Sequence, residues 1–284
     1  MTPFDDRPCA LGEGPLWHPA RGQLFWFDIL GRRMLSRSRG IPEEWAFEEM
    51  ASAAGWIDEQ TLLVATETRL MTFGIDTGRT EDVADLEGSN GATRSNDGRA
   101  DPWGGFWIGT MGKRAEPGAG AIYRYAGGEL RRLHGDISIP NSICFDHARA
   151  RAYWADTNTH LVMMQTVDDD GWPASEPETF LDLTGEGLRP DGAVTDARGW
   201  LWSAQWGAAR VAAYDEEGRF RRAVPFPGAH TSCPAFGDEG LTTLYCTTAR
   251  QNLTEAEIAA QPLNGCTFAA PGIAEGVPEP RVIL

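Results

Sequence analysis

Four side chains bearing hard oxygen donors recur at matching places along the 284-residue chain: Glu13, Asn96, Asn141 and Asp191. Each stands five residues ahead of a polar residue, respectively His18, Asp101, Asp146 and Asp196, and bulky apolar residues resume just beyond. Two carboxylates and two carboxamides gathered at one point repel unless a cation lies among them. Such oxygens suit Ca2+, Mg2+ or Mn2+, and two carboxylates neutralise one divalent ion. With neither imidazole nor thiolate in the set, Zn2+ is compatible with it but not favoured by ligand type. Taken singly, Glu13 before Gly-Pro, Asn96-Asp97-Gly98, and Asp191-Gly192 after Pro190 also read as turn formers. Asn141, between Pro140 and an apolar run, does not.

The shared offset belongs to a repeat. "RPDGAVTDARGWLWSAQ", Arg189 to Gln205, reads as strand, polar turn and strand. "EGPLWHPARGQLFWFD", "NDGRADPWGGFWIGT" and "NSICFDHARARAYWAD" follow the same plan, and weaker copies place Ala53 before Asp58 and Cys233 before Asp238. The equivalent positions 13, 53, 96, 141, 191 and 233 lie 40, 43, 45, 50 and 42 residues apart. Each unit has room for two further strands, such as "RVAAYD" and "RRAVPF". Four-strand units at this period predict an all-β fold: a six-bladed β-propeller of four-stranded antiparallel blades around a central channel, one domain over residues 1–284. A two-sheet sandwich also yields short strands, but not so constant a period. The composition of 33 glycines, 18 prolines and 11 tryptophans agrees with many brief strands and tight turns.

Such a ring makes neighbours of residues distant in sequence. The six equivalent positions should begin the innermost strands and surround one end of the axis. The second strand of each hairpin returns to that end at Asp28, Thr110, Asp156 and Gln205. Asp28 and Asp156 are expected behind the ligands, as acceptors that orient them. Closure of the ring is expected from the tail "PEPRVIL", Pro278 to Leu284, pairing with strands near the N-terminus.

A net charge of −16 repels a phosphate backbone and argues against nucleic acid. The start carries no basic segment followed by an apolar one, and no apolar run is long enough to cross a bilayer. A soluble cytoplasmic protein with no membrane association and no obligate protein partner is the expectation. Five scattered cysteines without a C-x-x-C pair read as reduced thiols, not a zinc site. A glycine-rich phosphate loop, a G-x-S-x-G elbow and an H-E-x-x-H motif are all absent. His18, His134, His147, His160 and His230 are dispersed and read as structural or surface residues. Trp103, Trp107 and Trp206 are candidates for a pocket floor, in competition with packing between blades.

Taken together, "GEGPLW", "RSNDGRADPWGGFWIGTM", "IPNSICFD", "AYWADT", "RPDGAVTDARGWLWSA" and "TSCPAF" resemble the senescence-marker-protein/gluconolactonase (regucalcin-like) family, in order from about residue 11 to residue 250. The resemblance implies a six-bladed propeller holding one divalent metal ion (Ca, Mn, Mg or Zn) on Glu13, Asn141 and Asp191, with Arg94 and Asn96 facing substrate. In the related diisopropyl fluorophosphatases an asparagine at the place of Asn96 is a calcium ligand, so its role stays divided. The implied activity is hydrolysis of a sugar lactone to its open-chain acid. The cation polarises the carbonyl, and Asp191 acts as general base on a water or attacks directly. An organophosphate or aryl-ester hydrolase makes similar demands on the same cation, and a non-catalytic calcium-binding propeller makes fewer. Some family members carry a substrate-contacting glutamate shortly after the "GTM" motif. Here Lys113 and Arg114 occupy that region, and a cationic loop over the mouth would favour a lactone carrying a carboxylate.

Overall fold

The computed structural model describes residues 1–284. Six four-stranded antiparallel sheets form the ring of a β-propeller. Blade 1 runs outward from the axis as Gly12–His18, Gln23–Asp28, Arg33–Ser38 and Ile41–Ala46. The innermost strands of blades 2 to 6 are Ala51–Asp58, Thr93–Ala100, Pro140–Asp146, Arg189–Thr195 and His230–Gly237. Burial falls from the axis outward: all of Gly12–His18 is buried, whereas Ile41–Ala46 alternates between exposed and half-buried. That gradient explains how "TRSNDGRA", with no apolar alternation, forms the buried strand Thr93–Ala100. Its polar side chains meet the channel and the neighbouring inner strands, where they find partners.

Away from the axis the blades are joined by apolar wedges. Phe25, Phe27 and Met34 of blade 1 pack on Leu62, Val64 and Phe73 of blade 2, and Trp202 of blade 5 meets Phe236 of blade 6 edge-on at 5.8 Å. Each fully buried side chain of this size contributes roughly 1.5–3 kcal/mol. Near the axis, hydroxyls stitch one inner strand to the next: Ser52 Oγ donates to Ser95 Oγ at 2.8 Å, and Thr195 Oγ1 to the Phe145 carbonyl at 2.6 Å. The approach is close enough that a Cβ at Gly192 would lie 2.2 Å from Cys233 Sγ. At the far end of the inner strands the repeated aspartates cap their turns. Asp101 accepts from the Trp103 and Gly105 amides, both at 2.9 Å, and Asp196 from Arg198 at 2.9 Å and Trp200 at 3.0 Å.

Closure differs from the sequence expectation. The outermost strand of blade 6 is Pro3–Asp5, paired with Thr267–Ala270, so the N-terminus and not the C-terminal tail seals the ring. Phe4 and Trp17 pack on Tyr245 with ring centroids 5.0 and 5.8 Å apart, locking blade 1 to blade 6. Pro278 and Pro280 have no amide hydrogen and cannot enter a ladder. The tail instead crosses the channel at the turn end. Gly276 bridges Asp196, the Val282 amide donates to the Trp56 carbonyl at 2.9 Å, and the Ile283 amide to Gly104 at 2.8 Å. The Glu279 carboxylate pairs there with the Arg99 guanidinium, which reaches across the axis to the Ala193 and Pro234 carbonyls. All five cysteines are free and buried, and no helix is long and apolar enough to cross a membrane.

Candidate active site

At the opposite end, each inner strand bears a β-bulge where its chemistry lies. Pairing with the second strand slips between Glu13 and Leu16, Ser95 and Gly98, Asn141 and Cys144, and Pro190 and Ala193. A bulge breaks the alternation of side chains and re-aims one of them. Glu13, Asn96, Asn141 and Asp191 converge in this way on one pocket of about 280 Å3, each no more than 6% exposed, with Arg94 beside them. Ala53 and Cys233, at the two remaining equivalent positions, do not line it.

The amides are held in a directed chain. Arg94 Nη1 donates to Asn96 Oδ1 at 2.8 Å, and Asn96 Nδ2 donates to Asn141 Oδ1 at 3.1 Å and to the Pro140 carbonyl at 2.9 Å. Asn141 Nδ2 then donates to Thr157 Oγ1 at 2.8 Å, and that hydroxyl to the Pro190 carbonyl at 2.6 Å. Each carboxamide oxygen accepts one bond in this chain, Asn96 Oδ1 from Arg94 and Asn141 Oδ1 from Asn96, and each keeps a second lone pair for another partner.

The carboxylates have no such support. Neither Glu13 nor Asp191 forms an ion pair, and the Gly14 amide lies a long 3.4 Å from Glu13 Oε2. Burial, with Asp97 nearby, pushes the Glu13 carboxyl up to about 8. Burial, then Glu13 and Asp97, raises Asp191 well above the ordinary range. Asp97 does not line the pocket but is a buried neighbour that the sequence conceals. Burial raises it to about 6, against the opposing hydrogen bond from the Ile143 amide at 2.8 Å. Burial lowers Arg94 to about 10, with Glu13 and Glu67 working the other way. Glu13 and Asp191, two buried acids without an ion-pair partner, next to a fixed carboxamide oxygen, make a donor set that fits a hard divalent cation.

The expected supporting residues sit differently. Asp28 accepts from the Leu11 amide at 3.0 Å and the Gly31 amide at 3.1 Å and pairs with Arg33. Asp156 accepts from Ser138 at 2.8 Å and Ile139 at 3.0 Å. Neither bonds the side chain of Glu13, Asn141 or Asp191. Asp28 stands opposite Gly12, and Asp156 opposite Pro140, one residue off the candidate ligand, and adjacent strand residues point to opposite faces. Both therefore fix the main chain entering the strand, and Thr157 takes the orienting place beside Asn141. Lys113 is tied to Glu67 and to the Gly91 carbonyl, and neither it nor Arg114 lines the pocket. Of the three tryptophans only Trp206 does, stacked on His230 at 4.2 Å, whereas Trp107 is buried against Phe145 between blades. His160 also lines the pocket, with Nδ1 bonded to the Leu188 carbonyl at 2.8 Å.

Residues 11–250, which carry every one of these groups, match the SMP-30/Gluconolactonase/LRE-like region. The chain belongs to the SMP-30/gluconolactonase/LRE-like family. Within the family it is 33% identical over 276 residues to a 6-deoxy-6-sulfogluconolactonase of Pseudomonas putida, covering 95% of each chain. It is 34% identical to an L-arabinolactonase of Azospirillum brasilense, over 95% of this chain and 91% of that one. Among solved structures, a calcium-binding protein, regucalcin, of Agrobacterium tumefaciens strain C58 superposes with a TM-score of 0.97 at 40% identity, over 99% of this chain and 97% of the other.

Proposed function

We propose that the protein hydrolyses a sugar lactone to its open-chain acid, with one divalent cation held by Glu13, Asn141 and Asp191. The observation that carries this reading is the convergence of two buried, unpaired carboxylates and an oriented carboxamide oxygen on one small polar pocket. The family relatives named as lactonases support the reaction class, and the regucalcin structure, described as calcium-binding, supports a hard cation.

A bound cation would polarise the lactone carbonyl and stabilise the negative charge that develops on its oxygen. Asp191, buried and raised in proton affinity, takes a proton from the attacking water. Water oxygen bonds to the carbonyl carbon, the ring ester C–O bond breaks, and the ring oxygen leaves as a hydroxyl by taking the proton that Asp191 accepted. Arg94 and Asn96 position the sugar hydroxyls, with Asn96 itself held by Arg94, the Pro140 carbonyl and Asn141. Thr157 holds Asn141 in register as a ligand.

An organophosphate or aryl-ester hydrolase calls for a more apolar mouth. Here Arg, Asn, Gln and His side chains outnumber apolar ones around the pocket. A purely calcium-binding role uses the three cation oxygens and needs no room beside them, whereas the pocket of about 280 Å3 extends to Arg189, Trp206 and Asn252. Acid release from a panel of pentono-, hexono- and aldarolactones, with and without chelator, tests the proposal. Turnover of at least one lactone that stops on chelation is the expected result, and no turnover of any would remove it.

A further inference from the structure

Two guanidiniums line the pocket, the buried Arg94 and the exposed Arg189. Arg189 opens the innermost strand of blade 5, two residues before Asp191, and no carboxylate pairs with it. Its partner across the strand pair is Trp206, another lining residue, so the two side chains leave the same face of the sheet. The only acids around the pocket are Glu13 and Asp191, both assigned above to the cation. Once a dication balances those two charges, Arg94 and Arg189 leave the pocket positive, in a chain whose net charge is −16.

A neutral sugar ring does not call for that surplus. Its hydroxyls are matched by Asn96, Asn158, Gln251 and Asn252. A guanidinium presents a planar fork of donors that fits a carboxylate or sulfonate in bidentate fashion. The spacing along the strand also fits. Two residues span roughly 6.6 Å, comparable to the reach from the ring carbonyl of a hexose-derived lactone to an acidic oxygen on its remote carbon.

Resting on the lactonase reading, we infer that the pocket selects lactones carrying an anionic oxo group, carboxylate or sulfonate, on the carbon remote from the ring carbonyl, and that Arg189 is the residue that grips it. This places the cationic selector on the strand that supplies Asp191 and not on the Lys113–Arg114 loop, which the structure ties elsewhere. It also predicts what must supply the substrate: an oxidation at the anomeric carbon of a sugar that already bears its acid at the other end.

The test compares kcat/KM for a neutral hexonolactone, the corresponding aldarolactone and a 6-sulfo lactone, in wild type, Arg189→Gln and Arg189→Lys. Wild type should prefer both anionic lactones over the neutral one. The anionic-to-neutral ratio should fall about 10- to 100-fold in Arg189→Gln, the scale of a charge-assisted hydrogen bond, and recover in part in Arg189→Lys. Calorimetry with the open-chain acids adds a reading free of turnover: glucarate should bind more tightly than gluconate in wild type, and the difference should vanish in Arg189→Gln. A wild type without preference, or a variant that leaves the ratio unchanged, overturns the inference while sparing the lactonase reading. Failure of wild type to open any of the three overturns both.

Discussion

Replacing Glu279 by alanine isolates the contact that holds the C-terminal tail across the channel. Arg99 is 9% exposed and Glu279 7%, and the guanidinium's other contacts are the Ala193 and Pro234 carbonyls at 3.4 and 3.3 Å. Burial works against the charge on Arg99, and Glu279 more than offsets it, so that the charged form is held firmly. Removing the carboxylate leaves a buried cation without its partner, which costs about 3–5 kcal/mol. For a chain of 284 residues the unfolding entropy is roughly 0.6 kcal/mol/K near 60 °C, so the melting temperature should drop by about 5–8 °C. Differential scanning calorimetry at neutral pH reads this directly. The double variant Arg99→Met/Glu279→Leu should regain most of the loss, because matched apolar groups replace a buried ion pair at little net cost. A Glu279→Ala melting point within about 1 °C of wild type, or a double variant no better than the single one, would refute the assignment of the tail as a latch held by this pair.

Other outcomes follow from the mouth of the channel. Asp191→Asn keeps the shape but removes the base and one anionic donor. Turnover should fall about 10^2- to 10^4-fold with the circular dichroism spectrum unchanged, and near-normal turnover would discard the base assignment. Thr157→Val removes the acceptor that orients Asn141, and calorimetric titration should show Ca2+ affinity reduced about 10- to 100-fold. The Glu13 carboxyl is raised from its ordinary 4.5 to about 8, so without a cation its stabilising protonation is complete below pH 4.5 and is lost as pH rises through 8. In chelator the melting temperature should therefore decline across that window, and the gap to the Ca2+-loaded protein should widen; a pH-independent gap would count against the site.

The ring was legible because the same turn aspartates recur. Asp101 and Asp196 cap equivalent amides, and that spacing set the inner strands and brought Glu13, Asn96, Asn141 and Asp191 to one mouth. Residues tied to local deviations were not legible. Asp97 sits in an Asn-Asp-Gly sequence that reads as a turn, yet the bulge between Ser95 and Gly98 buries it beside Glu13 and Asp191. Asp28 and Asp156 stood one residue off the ligand register, a slip that sends their side chains to main-chain amides. His160 and Arg189 fall outside the repeat position, on the mouth of the pocket where no periodic signal reaches. The closing strand Pro3–Asp5 is too short to announce itself, whereas the β-branched "RVIL" invites a strand assignment that the flanking prolines deny.

Metal content measured alongside activity on one preparation bears most directly on the cation site. Elemental analysis should find about one divalent ion per chain, with acid release abolished after chelation and returning on addition of Ca2+, Mn2+ or Zn2+. A metal-free protein that opens lactones at the full rate would contradict the account.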